Sequence, residues 1–480
     1  MAMLKFDTQV QELKYHVLKE VAKSYYNGTL TEDIVDIPKK IAPGPRPTMR
    51  CCIYKERAIA ADRVKLAMGG DKNNKNILEV IDAACDECPI GGMQVSDACR
   101  GCLAHRCQQA CHMNAISFDE HLHAHINKQK CVNCGLCAKA CPYGAILNYR
   151  RPCEAACKVK AIHEREDGIS EIDESKCVRC GACSYSCPFG AIMDKSFILN
   201  CIDIMKGNEE GKWNAYMVVA PSISSQFHYA KLGQVITGIK KLGFHAVLEA
   251  ALGADMVAYK EAQELAKEGF LTSSCCPAFV RYVKTAFPDL ASKVSSSLSP
   301  MAALAKYIKE TDPTAKVCFV GPCIAKKMEQ EEGESAKYVD CVITFEELQA
   351  LIDSRDIVLA SLPESNLDNA SYFGRIFARC GGLSEAVKES LKEQNIDFEV
   401  KGVSCNGLEE CRRALMANKG ATKPNNFIEG MACVGGCIGG PCCLTHELRD
   451  AASVDKYGHE SKETTIKGSL KNIMVLSDEE

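Results

Sequence analysis

The sequence predicts three kinds of structure in succession. A helical N-terminal segment leads into small α+β modules built around cysteine runs, and these precede an α/β domain whose largely parallel sheets are covered by helices. Three observations carry this reading. Val10, Leu13, Val17, Leu18 and Val21 recur at helical spacing, one apolar stripe on an amphipathic helix. Nineteen of the 31 cysteines fall before position 202, many at C-x2-C spacing. Beyond residue 213 short apolar runs alternate with helical patterns, as in parallel strands joined by crossover helices. The expected units are residues 1–84, 85–148, 149–205, 213–445 and a polar surface tail, 446–480.

Composition narrows the class of function. A chain of 480 residues has room for about three domains. Its net charge of −4 gives no basic footprint for nucleic acid. No apolar run approaches the length of a membrane span, and the polar start MAMLKFDTQVQELKYH is not a signal peptide. A cytoplasmic protein is expected, and there so many cysteines mean metal rather than disulfides.

The apolar stripe of the first segment is expected to pack on the body of the protein. A turn follows at Pro43, Pro45 and Pro47, and then the adjacent pair Cys51-Cys52, read as structural.

The next two units carry cluster motifs. Cys131-x2-Cys134-x2-Cys137-x3-Cys141-Pro142 and Cys177-x2-Cys180-x2-Cys183-x3-Cys187-Pro188 are bacterial ferredoxin runs. In such a run three cysteines hold one 4Fe–4S cube and the fourth crosses to its neighbour. Cys99-x2-Cys102-x4-Cys107-x3-Cys111 precedes them. By the crossing rule Cys131, Cys134 and Cys137 pair with Cys111, while Cys99, Cys102 and Cys107 pair with Cys141. Zinc, the alternative for an isolated C-x2-C pair, does not explain triplets that end in Cys-Pro. The second module is incomplete: Cys153-x3-Cys157 follows Asn148-Tyr149-Arg150-Arg151, where leading cysteines are expected. Cys157 completes the cube of Cys177, Cys180 and Cys183. Cys153 and Cys187 then need two ligands, which Cys85-x2-Cys88 can supply; otherwise this fourth site is empty. Three to four 4Fe–4S clusters are therefore expected, with Cys201 left over. Asp167-Gly168 marks a hairpin, and His121, His123 and His125 are read as one face of a strand.

In the last large unit Ala215–Ala220, Lys316–Val320 and Asp356–Ala360 read as buried strands. Thr344-x-x-Glu347 is a capping box opening one helix, and Gly420 closes another. Three further pieces carry chemistry: Thr272-Ser273-Ser274-Cys275-Cys276-Pro277, Gly321-Pro322-Cys323-Ile324-Ala325-Lys326-Lys327 and Glu429-Gly-Met-Ala-Cys433-Val-Gly-Gly-Cys437. They offer four thiolates, Cys276, Cys323, Cys433 and Cys437, the number a cube requires.

In this order, and with this lysine pair, the three pieces resemble the catalytic domain of the iron-only (FeFe) hydrogenases, over residues 95–445 with the ferredoxin modules included. The resemblance implies an H-cluster, a cube joined by one bridging thiolate, Cys437, to a two-iron unit with carbon monoxide, cyanide and azadithiolate ligands. The implied reaction is the reversible reduction of protons to dihydrogen. Lys326 and Ser222 match the positions that donate to cyanide, and Ser299 and Met431 match further positions around the cluster. Cys275 matches the final proton donor, and Glu261, Glu264 and Ser295 match the relay from solvent; pattern alone does not single these out. The expected partners are a soluble ferredoxin or flavodoxin and the hydrogenase maturation factors, since amino acids supply none of the diatomic ligands. No glycine-rich fingerprint for a dinucleotide follows a strand.

The chain departs from the best-known branch of the family. Ala278-Phe279 replaces Gly-Trp, Gly321 replaces methionine, and Gly439-Gly440-Pro441-Cys442-Cys443 replaces G-G-G-Q-P. Cys318, Cys341, Cys380, Cys405, Cys411, Cys442 and Cys443 carry no implied role and read as small core residues. Two other classes compete. A hydrogen sensor is opposed by the want of a sensory or kinase domain in the sequence. An electron-transfer or assembly protein is opposed by the full ligand set with Lys326.

Overall fold

The computed structural model describes residues 6–86, 88, 91–420 and 423–477. The ends of the first segment and of the tail, residues 1–5 and 478–480, lie outside it. Helix Gln9–Tyr26 is opened by Thr8, whose side chain accepts from the Gln11 amide. It buries Val17, Leu18 and Val21 against helix Phe345–Ser354 of the large domain, as the stripe requires. Helix Ile53–Ala67 follows, with Cys52 at its N-cap and the Cys52 sulfur accepting from the Lys55 amide at 3.5 Å. The segment is not wholly helical. Strand β1 (Leu78–Val80) pairs antiparallel with a strand of the second cysteine module.

The modules are built from short antiparallel pairs. Strand β2 (Gly92–Val95), β3 (Ile116–Phe118), β4 (Ala124–Ile126) and β5 (Ile146–Tyr149) form the first, pairing β2 with β5 and β3 with β4. The expected boundary at 148/149 therefore cuts through β5. Strands β6 (Ile162–Glu164) and β7 (Ser170–Ile172) form the hairpin around Asp167-Gly168, and β8 (Ile192–Asp194) takes β1 as its partner. Of the three histidines only His125 stands on a strand. Asp119 gathers all three, accepting from the amides of His121 and His123 and facing the His125 ring at 3.0 Å.

Helix Ile198–Glu209 leads from β8 into the large domain. There β9 (Asn214–Val219), β10 (Ala246–Glu249), β12 (Ala315–Gly321) and β13 (Cys341–Thr344) form a parallel sheet in the order β10-β9-β12-β13. A second parallel sheet runs β11-β15-β14, from β11 (Leu271–Thr272), β14 (Gly402–Asn406) and β15 (Phe427–Met431). Helices Ala250–Glu268, Pro300–Thr311 and Gly382–Glu393 cover the sheets. The capping box forms: the Thr344 hydroxyl accepts from the Glu347 amide, and Glu347 accepts from the Thr344 amide at 2.6 Å. The helix expected to close at Gly420 ends earlier, at Ala417, with Asn418 as its cap.

Two expectations fail. Asp356–Ala360 is not a strand. Asp356 takes a left-handed φ of 55°, and a 3-10 turn, Leu359–Ser361, follows. Only Leu359 of this run is buried, pressed on Gly238, while Val358 is 53% exposed, so a β-branched run without two buried faces makes no strand. The C-terminal stretch is not a surface tail. Helices Asp450–His459 and Ile466–Ser477 bury Val454, Tyr457, Ile466 and Leu470, a sparse apolar spacing that the polar composition hides. Among the described residues no helix is long and apolar enough to cross a membrane.

Candidate active site

The three cysteine loops leave the carboxyl ends of β11, β12 and β15, the edge at which parallel sheets bind ligands. Pro277 starts helix Pro277–Ala286 directly after Cys276, and Cys323 caps helix Ile324–Glu329. Proline fixes φ beside each cysteine and stiffens the approach. The third loop needs its glycines. Gly436 has φ +89°, and a Cβ there would meet the Cys380 amide at 2.8 Å; one on Gly440 would meet the Pro322 carbonyl at 2.6 Å. Phe279 lies flat on Gly430, where a Cβ would reach its ring at 2.3 Å, so the Ala-Phe departure has its own packing partner.

The four thiols face one another. Burial, together with Cys276 and Cys437, pushes the Cys323 thiol up to about 12, against the pull of Lys326. Burial and Cys276 push Cys437 up to about 11. Cys433 is raised well above its ordinary value by burial, with Cys323, Cys276 and Cys180 adding to it. Thiols crowded in this way do not ionise together unless cations join them, which is the chemistry of an iron–sulfur cube. Cys437 itself is exposed. Ser222, on the turn after β9, is fully buried, and its hydroxyl has no partner among the described residues. That is the signature of a donor kept for a ligand. Lys326 is buried; burial alone would lower it, but Glu329 at 2.7 Å and the nearby thiols hold it charged. The residues therefore fit a cube with a polar-ligated neighbour.

The remaining expected positions divide. Met431 is buried at the end of β15, and its carbonyl accepts from the Gly407 amide at 3.0 Å. The Ser299 oxygen is engaged as the cap of helix Pro300–Thr311, accepting from the Ala302 amide at 3.5 Å.

A polar line runs outward from Cys275. Its thiol is pushed well above the ordinary range by burial and by the adjacent Glu261. Glu261, fully buried on helix Ala250–Glu268, accepts from the Ser274 amide at 3.0 Å and the Ser274 hydroxyl at 2.9 Å. Its other carboxylate oxygen makes no hydrogen bond of ordinary length among the described residues, although the Ser295 hydroxyl lies near. Burial lifts its carboxyl to about 7, although the Ser274 and Ser295 hydroxyls pull the other way. The Ser295 hydroxyl donates to Glu264 at 2.7 Å. Glu264 lines a cleft of about 960 Å³ with Lys260 and Ser296. Ser274 escaped the sequence reading although it adjoins Cys275. So did Glu429, which is buried in β15 and anchors the third loop by accepting from the Gly381 amide at 2.8 Å and the Ser384 hydroxyl at 2.6 Å.

The module cysteines gather in fours. Cys107 has Cys141 and Cys102 beside it, and Cys137 has Cys131 and Cys111, the crossed pairing. Cys183 lies with Cys180, Cys177 and Cys157. Cys180 in turn neighbours Cys276, so this third group adjoins the four thiols of the large domain. Cys88 lies with Cys187, Cys85 and Cys153. Arg151, buried where leading cysteines were expected, approaches the Cys85 sulfur at 3.9 Å, and the Ser170 amide donates to that sulfur at 3.4 Å. Donors aimed at a sulfur suit a thiolate. Replacing Cys85 and Cys88 by serine is expected to remove about four irons per chain, one cube. Iron analysis and electron paramagnetic resonance of the reduced protein check this, and unchanged iron and spectra would mean that no cube sits there.

The matching family models agree with this layout. Residues 214–441 match the model for the iron-only hydrogenase large subunit, C-terminal domain. Residues 98–145 match a 4Fe-4S dicluster domain and 170–193 a 4Fe-4S binding domain. Iron hydrogenase 1 of Clostridium pasteurianum is 31% identical over 258 residues, 43% of this chain and 45% of that protein. The chain thus spans about half the length of this curated relative. The cytosolic Fe-S cluster assembly factor NAR1 of Kluyveromyces lactis is 37% identical over 90 residues, 19% of each chain. A solved [FeFe]-hydrogenase of Chlamydomonas reinhardtii superposes with a TM-score of 0.49 at 19% identity, covering 58% of this chain and 93% of that one. With two parallel sheets presenting three cysteine loops behind 4Fe-4S modules, residues 214–441 belong to the iron-only hydrogenase large subunit, C-terminal domain family.

Proposed function

We propose that this protein catalyses the reversible reduction of protons to dihydrogen. The observation that carries the reading is the polar line Cys275–Glu261–Ser295–Glu264, which connects the four-thiol centre to an open cleft. An iron–sulfur protein that only stores or passes electrons has no use for a buried titratable chain ending beside its ligands. Cys276, Cys323, Cys433 and Cys437 would hold the cube, with Cys437 as the bridging thiolate. The bound H-cluster would supply the two-electron redox chemistry. Ser222 and Lys326 would donate hydrogen bonds to its anionic ligands in a dry pocket, and Met431 would exclude water. Glu264 takes a proton at the cleft, and Ser295 and Glu261 pass it inward. Glu261 suits this role because its carboxyl titrates near 7, the range in which a group gives and regains a proton with little penalty. Cys275 delivers the proton. Electrons from a soluble ferredoxin or flavodoxin would enter through the module clusters and leave by the cube of Cys180, which adjoins Cys276.

A second reading has one observation behind it. The similarity to an assembly factor named NAR1 favours a non-enzymatic role on the same scaffold. One experiment separates the two. Made without hydrogenase maturation factors, the protein should bind iron and sulfide, show no metal-carbonyl infrared bands and evolve no hydrogen. Made with them, it should show carbonyl and cyanide bands and evolve hydrogen from reduced viologen. A fully iron-loaded protein that gains neither after maturation would favour the assembly role.

A further inference from the structure

Three cysteines outside every cluster meet in the core of the large domain. Cys318 on β12 and Cys341 on β13 are direct register partners in neighbouring parallel strands. Cys201 reaches them from helix Ile198–Glu209, the segment that leaves the second module. All three are buried, none more than 1% exposed. Their sulfurs lie within 4.8 Å of one another, and no other such group of three ligating side chains occurs among the described residues. Free cysteines in a core usually pack as small hydrophobes. Here three sulfurs from three separate elements meet at one point.

The donor set selects the ligand. Sulfur-only sites suit soft cations: copper(I), zinc or iron–sulfur clusters. Structural zinc is four-coordinate, yet no fourth Cys, His, Asp or Glu joins this group. A cube takes four thiolates. Copper(I) accepts three sulfurs: each thiol gives its proton to solvent as its S–H bond is replaced by a metal–sulfur bond, and no electron is transferred. We propose that Cys201, Cys318 and Cys341 form a three-sulfur site for a single soft monovalent cation, copper(I) being the biological representative. Filled, it clamps the helix leaving the electron-transfer module to the catalytic sheet.

The test uses the full chain with its iron–sulfur clusters in place, under anaerobic conditions, with copper(I) supplied from a buffered chelator. Cys51 and Cys52 are first replaced by serine, because an adjacent pair with Cys51 exposed and Cys52 half-buried would compete; serine is a sound N-cap in place of Cys52. This protein should bind one more equivalent of copper than its Cys201→Ala, Cys318→Ala and Cys341→Ala derivatives. Its X-ray absorption should show three sulfur neighbours, and its 4Fe–4S absorption should stay constant. Copper uptake equal in all four proteins would overturn the proposal. So would a coordination of two or four sulfurs, or release of iron as copper enters. If an alanine derivative fails to fold, the sulfur count in the parent protein decides alone.

Discussion

Cys275→Ala is expected to lose at least 10²–10⁴-fold in hydrogen evolution, the usual contribution of a positioned acid–base group, while keeping its metal centre. Cys275 and Cys276 are adjacent, yet their surroundings assign them different work. Cys276 stands among the ligand thiols: Cys323, Cys433 and Cys437 each have it as a neighbour. Cys275 has Glu261 as its first charged neighbour, so it joins the ligand shell to the proton line. Alanine in its place removes no ligand and leaves only a small gap. The carbonyl and cyanide infrared bands of the matured protein should therefore persist, slightly shifted, in a nearly inactive enzyme. Cys276→Ala should instead prevent stable assembly, so those bands should be missing. Hydrogen production normalised to carbonyl-band intensity checks the contrast. Near-normal turnover of fully loaded Cys275→Ala would eliminate the proton line.

How much of this was legible in the sequence depends on whether the physics is local. Cysteine spacing is local, because a loop that wraps a cube fixes the offsets among Cys131, Cys134 and Cys137. The strands at Ala215–Ala220 and Lys316–Val320 were legible because both faces are buried and the runs are continuously apolar. Asp356–Ala360 has the same composition without the burial, and composition cannot report which faces a run will meet. The C-terminal helices were missed because Val454, Tyr457, Ile466 and Leu470 are few and widely spaced. Their fixation comes from a distance: Tyr457 donates to Glu249, which also holds Arg375. Glu261 and Glu264 are one helical turn apart, a pattern of ordinary solvated faces. Only the Ser274 and Ser295 hydroxyls, brought in from separate loops, make a line of them. Cys201, Cys318 and Cys341 lie up to 140 residues apart in sequence and share no spacing rule at all.

Lys327→Met is expected to destabilise the assembled protein by about 3–5 kcal/mol, the cost of removing one partner from a buried ion pair. Lys327 follows Lys326 in the second cysteine loop but points away from the cluster. Its ammonium is fully buried and donates to Asp194 at 2.6 Å, to Glu347 at 2.9 Å and to the Lys195 carbonyl at 2.9 Å. Asp194 ends β8 of the second module, and Glu347 caps a helix of the large domain. Lys14 of the first helix also donates to Asp194, at 2.6 Å, and to Glu346. One buried network thus joins the N-terminal helix, the second cysteine module and the second cysteine loop. Lys14 and Lys327 face Asp194, Glu346 and Glu347, so removing one lysine takes the group from a net −1 to −2 in a dry setting. Burial pushes the Asp194 carboxyl up, but Lys14 and Lys327 outweigh it and hold the group well below its ordinary value. A depressed carboxyl contributes stability above its unfolded pKa and loses it as pH falls through the folded one. The variant should therefore be weaker at neutral pH and lose less on acidification. Unfolding of a multidomain cluster protein is not two-state, so the readout is the rate of cluster bleaching in fixed urea. That rate should rise by about 10²- to 10³-fold or more if the 3–5 kcal/mol falls mainly on the unfolding step. Lys337→Met, at an exposed pair with Glu334, is the control and should change it little, since exposed pairs contribute about 0–1 kcal/mol. Equal bleaching rates for the two variants would show that Lys327 does not hold the modules together.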